Sequence, residues 1–425
     1  MKNNLKNRKF YEFFFIILLE IMIIYWIVSI FSQGASSIQN KIFFANMRDF
    51  WADRTNVIGY SSQLDPYNNK MYSGLGEKAY PPFVYVIMYL FSRLVNMQPY
   101  YDSNRFLHMY TEPLFLFMII LFICLIMIIG YGLIVKCKKG SVITKMGTAF
   151  ALLLSGPMLF TLERGNIIIW VPFLCLGFIL FHNDNNWIIK EIGLLCLAIA
   201  SAIKITPAIL GFLLLIEHNW KSAIRTAIYG IIFFFGPFLV LKGGLDNILL
   251  MIRNLGYLMN TYKNADGCTI RNIFRTAETV FSLSHTPDSV ITITSIVVSI
   301  LLIFCSFFST KKWETVMALM LLIIAVPNYS GYYCLIYLIP PTILFLNEDN
   351  HPLFDLVVLL ALLLIYNPVY SIVNQYGIDY HLGIAGLLLY MIVQGVKYIS
   401  KMFLRNKASQ FRNRIEIGRN NLQCL

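Results

Sequence analysis

The stretch Pro113–Lys145, PLFLFMIILFICLIMIIGYGLIVKCKKGSVITK, decides the fold. Its first part, Pro113–Val135, carries no charged residue. At 1.5 Å per residue it outreaches the roughly 30 Å of hydrocarbon in a bilayer, and a helix satisfies its own backbone there. Lys136, Lys138, Lys139 and Lys145 follow directly. Basic clusters beside a span are retained in the cytoplasm, so the run reads as a helix that leaves the membrane inward at Lys136.

The rest of the topology follows outward from that point. Upstream, Phe10–Phe31 is a first span with a basic flank of Lys2, Lys6, Arg8 and Lys9. No small-residue cleavage site follows it, so it reads as an uncleaved helix with a cytoplasmic N-terminus. The polar and aromatic stretch Ser32–Pro82 then lies outside. Phe83–Val95 is apolar but short. If it crossed the membrane the four lysines would face outward, so it reads as interfacial or re-entrant. Further spans are expected at 146–162, 166–181, 191–204, 206–217, 222–241, 290–309, 314–327, 330–346, 353–370 and 380–397. The sum is an all-α polytopic membrane protein of about 12 transmembrane helices with both termini cytoplasmic. Residues 1–397 form one integral membrane domain with outer loops at 32–82 and 242–289. The basic tail 398–425 is expected to rest on anionic cytoplasmic lipid.

Composition agrees. Of 425 residues, 58% are hydrophobic and 13% charged, about half the charge of a soluble protein. The apolar runs are continuous rather than alternating, which excludes a membrane β-barrel. The net charge of +12 sits in short loops and the tail, where the charge rule accounts for it without nucleic acid. The eight cysteines show no metal or disulfide spacing and read as small buried hydrophobes. No phosphate-binding GxxxxGK[ST], dinucleotide GxGxxG or HExxH motif is present, and no metal or cofactor is expected.

Chemistry is therefore sought among polar residues on the outer face. If Phe43–Arg54 is helical, its aromatic residues share one face and Asp49 and Asp53 the other, as in an interfacial helix. Pro81-Pro82 ends that loop. Glu163-Arg164-Gly165-Asn166 interrupts an apolar stretch, and Lys204 stands within the uncharged run Ala200–Leu215. An ionisable residue within spans marks a functional site, although Lys204 could also snorkel to the interface. Arg271 and Arg275, in the 242–289 loop, share that face. Tyr332-Tyr333 could line a cavity or belong to an aromatic belt. A carboxylate loop and several cations on one side suit deprotonation of a hydroxyl and expulsion of a phosphate.

These residues, in this order, resemble the family 87 glycosyltransferases of the GT-C class. The resemblance rests on Asp49-Phe50, Asp65-Pro66-Tyr67 and Tyr80-Pro81-Pro82, then on Arg164-Gly165-Asn166, Ser201-Ala202-Ile203-Lys204-Ile205-Thr206-Pro207 and Asn219-Trp220-Lys221. It covers most of residues 40–345. Many members carry Pro-x-Ser-Trp-x-His late in the chain, where this sequence has Pro327-Asn328-Tyr329-Ser330-Gly331-Tyr332-Tyr333, so its acceptor can differ from theirs. The resemblance implies a GT-C-like bundle whose long first outer loop bears interfacial helices. It also implies inverting transfer of a hexose or pentose from a polyprenyl-phosphate donor to a glycan or glycolipid hydroxyl on the outer face of the cell membrane. Asp49 would be the general base. Arg164, Lys204 and Arg271 would hold the donor phosphate, and Asp53, Tyr80, Asn166 and Tyr332 would contact substrate. The alternative is a transporter or flippase of a lipid-linked sugar, which the long asymmetric outer loop and the lack of paired broken segments disfavour.

Overall fold

The computed structural model describes residues 2–33, 50–68, 78–95, 112–263, 265, 267–369 and 377–422. Asp49, most of Phe43–Arg54 and the side chains of the basic tail lie outside the described residues. Among those described, the regular structure is helical, with no strand.

Helices stand where the apolar runs predict them. Five are long and apolar enough to cross a membrane: Asn7–Ser32, Pro113–Cys137, Trp220–Val240, Asp288–Phe308 and Ile378–Lys401. Their outward faces are apolar, with Ile24, Phe117, Ile128, Ile231 and Ile296 all more than half exposed. Such a surface belongs in hydrocarbon. We label α1 Lys2–Gln33, α2 Ala52–Ser61, α3 Pro82–Ser92 and α4 Pro113–Cys137. A sixth candidate span is the pair α5 (Val142–Leu153) and α6 (Gly156–Glu163), bent by 50°. Pro157 in the first turn of α6 fixes its start.

The expected count of about 12 crossings is not established. The remaining runs form helices too short to meet the same test: α7 (Trp170–Phe181), α8 (Trp187–Ile203) and α9 (Phe212–Ile216), then, beyond α10 (Trp220–Phe235), further pieces such as Lys312–Ile324, Tyr332–Leu346 and Leu353–Tyr366. In the expected 83–95 segment the helix is α3, Pro82–Ser92, 11 residues; at 1.5 Å per residue that is roughly half the hydrocarbon thickness. The shortness has a cause. Arg164–Asn166, Lys204–Ile205 and Pro327–Gly331 interrupt the helices, and 3-10 turns at 167–169, 206–211 and 332–338 restart them. Polar backbone is thereby placed inside the bundle, where it is tolerated only against protein or a cavity.

The helix ends gather into two groups. At one end Arg8 bonds Asp349 at 3.1 Å, Lys138 donates to the Leu346 carbonyl at 3.1 Å, and Lys312 meets Glu217 at 3.2 Å. Glu217 also takes His182 at 2.8 Å. At the other end Trp51 N–H donates to Glu163 O, Lys242 N–H to Leu64 O, and Cys268 N–H to Ser330 O. Lys138, in the basic cluster that follows α4, is 1% exposed and paired with Glu12, where the chain turns between Cys137 and Ser141. Burial pulls its ammonium down to about 8 despite that partner.

Removing one member of a buried pair leaves an uncompensated charge. Glu12→Leu is therefore expected to cost about 3 kcal/mol in stability, and the double substitution Glu12→Leu with Lys138→Met to recover most of it. Thermal unfolding in detergent checks both.

Candidate active site

The site is built on four consecutive residues, Trp51 to Arg54, docked onto Glu163–Asn166. Trp51 adopts φ 59° and precedes α2 as its N-cap. No helix runs through that conformation. The continuous helix expected over Phe43–Arg54 is thus corrected: helix begins at Ala52, and Trp51 is 1% exposed instead of facing lipid. Its ring lies under Gly165, which takes φ +61°, and a Cβ there would stand 2.9 Å from the indole. Arg54 Nε donates to the Gly165 carbonyl at 3.0 Å.

Asp53 sits between these contacts. Its Oδ1 accepts from Arg164 Nη2 at 2.6 Å and Nε at 3.1 Å, and its Oδ2 accepts from Asn166 Nδ2 at 2.8 Å. Two arginine nitrogens thus share Oδ1 while Asn166 takes Oδ2, and the charge on both partners strengthens the arginine bonds. Asn166 is also fully committed. Its Oδ1 caps the 3-10 turn by accepting from Ile168 N–H at 3.0 Å and takes the Tyr80 hydroxyl at 3.2 Å. Tyr80 is anchored in turn, since its carbonyl accepts from the Tyr67 hydroxyl at 2.8 Å. This bond ties Asp65-Pro66-Tyr67 to Tyr80-Pro81-Pro82, where Pro81 is the N-cap and Pro82 the first residue of α3. Burial, with Asp53 beside it, raises the Tyr80 phenol above its usual range, so it stays a proton donor.

These groups form one wall of a cavity of about 400 Å³. Lys204 enters it from the end of α8, where extended backbone (φ −144°) stops the helix. Its Nζ lies 5.8 Å from the centre of the Tyr80 ring and makes no ion pair with any described residue. Much of the remaining lining is aromatic and apolar, with Tyr262, Tyr329, Tyr333 and Leu258. Asn56 also lines the cavity, and its buried Oδ1 has no partner among the described residues.

The sequence-derived candidates divide cleanly. Asp53, Tyr80, Arg164, Asn166 and Lys204 come together around the cavity. Arg271 is not among its lining residues, and its Nη1 bonds Asp288 at 2.6 Å. Tyr332 turns away, against Phe160 and Tyr380 with ring centres 5.4 and 5.0 Å apart, and Tyr333 lines the cavity instead. Trp51, Arg54 and Gly165 were not among the site residues drawn from the sequence, although Gly165 stands in the Arg164-Gly165-Asn166 element. The signal for Arg54 was a charge three residues from Trp51 in an aromatic stretch.

The sequence model of glycosyltransferase family 87 matches residues 79–327. The chain belongs to that family. Tyr80, Arg164, Asn166, Lys204 and Arg271 fall within the matched region, and Asp49, Asp53 and Tyr332 outside it. No curated protein and no solved structure matches the chain. Membership of family 87 makes it a membrane glycosyltransferase, an enzyme with a sugar donor and an acceptor.

Gly165→Ala tests how the wall is held. Alanine at φ +61° costs about 1–2 kcal/mol, before the indole has moved to admit the methyl group. The expected outcome is a lowered melting temperature together with a loss of transfer larger than the stability change explains.

Proposed function

We propose that the cavity binds a polyprenyl-phosphate sugar and that the enzyme transfers the sugar, with inversion, to a glycan or glycolipid hydroxyl at the outer face of the membrane. The observation that carries this reading is the ammonium of Lys204. Asp53 is the only carboxylate among the described lining residues, and its oxygens are taken by Arg164 and Asn166. The Lys204 charge is left for a ligand. A partly enclosed cation without a counter-charge favours an anion, and a phosphate joined to an anomeric carbon is the anion that the family's chemistry supplies. Arg164 lines the same cavity, where two of its nitrogens brace Asp53. Arg271, expected to share the phosphate, has Asp288 as its partner and does not enter the proposal.

A route for the isoprenoid starts next to Lys204. Ser201 and Ile205 flank it in sequence and line a second, apolar cavity of about 630 Å³. Phe212 of α9 and Ala223, Ala227 and Ile231 of α10 continue that groove. Here the phosphate meets the ammonium while the chain lies along lipid-facing small and apolar residues.

In the proposed step an acceptor hydroxyl attacks the anomeric carbon, its proton passes to a carboxylate, and the bond to the phosphate breaks. Single displacement inverts the configuration. Lys204 offsets the charge that grows on the leaving phosphate. Asp49 is the proposed general base. It lies outside the described residues, two positions before Trp51 in sequence, and Trp51 N–H is bonded to Glu163 O. Tyr80 and Asn166 hold the wall against which the sugar is oriented. The outward assignment of this end is supported by the separation of Arg8, Lys139, Lys311 and Lys312 to the opposite one.

Purified enzyme in lipid, given polyprenyl-phosphate sugars and a glycan acceptor, is expected to form the glycosidic bond, and nucleotide sugars to be inert. Lys204→Met should lower kcat/KM about 10²-fold or more, and Asp49→Asn should abolish transfer while donor binding persists. Unchanged transfer by either variant would remove that residue from the mechanism. Movement of lipid-linked sugar across vesicles without bond formation would replace the transferase reading with a flippase.

A further inference from the structure

A third cavity, of about 360 Å³, lies on the other side of α2 from the catalytic one. Asp53, Asn56 and Tyr60 face the catalytic cavity, whereas Arg54 and Ile58 face this one. Its walls come from α2, α3, α4, α7 and α8 and are almost wholly apolar, and Arg54 is the one charged residue among those described. Leu121 and Leu125 on α4 form part of the lining while 44% and 41% exposed, so the cavity opens sideways to lipid.

Arg54 is out of keeping with such walls. The residue is 6% exposed. One side of its guanidinium is occupied by the Phe122 ring, 3.7 Å away, and Nε by the Gly165 carbonyl. Nη2 is buried without a hydrogen-bond partner. Phe122 lies in the interior of the apolar helix α4, so this donor stands among apolar walls, where an unmatched polar group is costly. Guanidinium matches a phosphate in geometry and charge, and the apolar walls match an acyl chain.

We propose that this cavity is a phospholipid site, separate from the donor groove, in which an acyl chain fills the apolar space and the phosphate accepts from the Arg54 guanidinium. Occupancy would stiffen α2 from behind, because Arg54 is bonded to Gly165 and its neighbour Asp53 to Arg164 and Asn166. The inference does not depend on which sugar is transferred.

The test is native mass spectrometry of the full chain in detergent, titrated with phosphatidylglycerol and with digalactosyl diacylglycerol, a two-chain lipid that lacks phosphate. One tightly held phosphatidylglycerol is expected, with the galactolipid at least about tenfold weaker. Arg54→Gln should weaken phosphatidylglycerol by about tenfold or more. That variant can also loosen α2, so Ile87→Trp, which fills the cavity from α3 without touching the arginine, should give the same loss. Phosphatidylglycerol with brominated chains should quench a fluorescence component that is missing in Trp170→Phe, since Trp170 lines the cavity. Equal binding of the galactolipid would overturn the proposal. So would undiminished binding by both cavity variants, or displacement of the phosphatidylglycerol by a polyprenyl phosphate, which would assign the cavity to the donor.

Discussion

The bond network between Asp53 and the pair Arg164–Asn166 is the interaction on which the rest of the site depends. It joins a loop that follows the first helix to a break between two later ones, more than a hundred residues away in sequence. Asp53 alone on a short helix would be a solvated carboxylate, and Arg164 alone at the end of α6 would seek lipid phosphate or water. Together they cancel charge inside an apolar bundle, where separation would expose each to a large desolvation cost. Two conformational choices make the approach possible: the left-handed turn at Trp51 and the left-handed glycine at 165, stacked ring on backbone.

The surrounding helices have a complementary role. A bundle of uniformly long spans would bury no polar cavity. Here α7, α8 and the 206–216 segment stop short, and the residues that stop them (Asn166, Lys204, Thr206) are those that line the recess. Termination of the helices and construction of the site are the same event. The opposite end of the bundle is tied by its own ion pairs, Glu12–Lys138 and Glu217–Lys312, leaving the site end free to be shaped by chemistry.

Much of this was legible in the sequence, for reasons that differ by feature. The apolar runs announce helices because hydrocarbon leaves the backbone no other partner, and Arg164, Asn166 and Lys204 stand out because charge within such runs is rare. The number of crossings was not legible, since hydropathy does not say where a 3-10 turn consumes part of a run. Arg271 read as a site cation, but nothing local revealed that Asp288, 2.6 Å away in space, would claim it. For Tyr332 and Tyr333 the choice turned on a 3-10 start at 332, which rotates one ring toward Phe160 and the other into the cavity. Asp49, the proposed base, rests on the family-like Asp-Phe pair and on its closeness in chain to Trp51.

The central claim is that Asp53 and Arg164 act as one unit in shaping the transferase site. A double-mutant cycle on kcat/KM with Asp53→Asn and Arg164→Gln measures that directly. Strong non-additivity is expected: each single variant loses most of the activity, and the double variant loses little more than the worse of the two. Losses that simply multiply would show that the two residues act independently and would contradict the account.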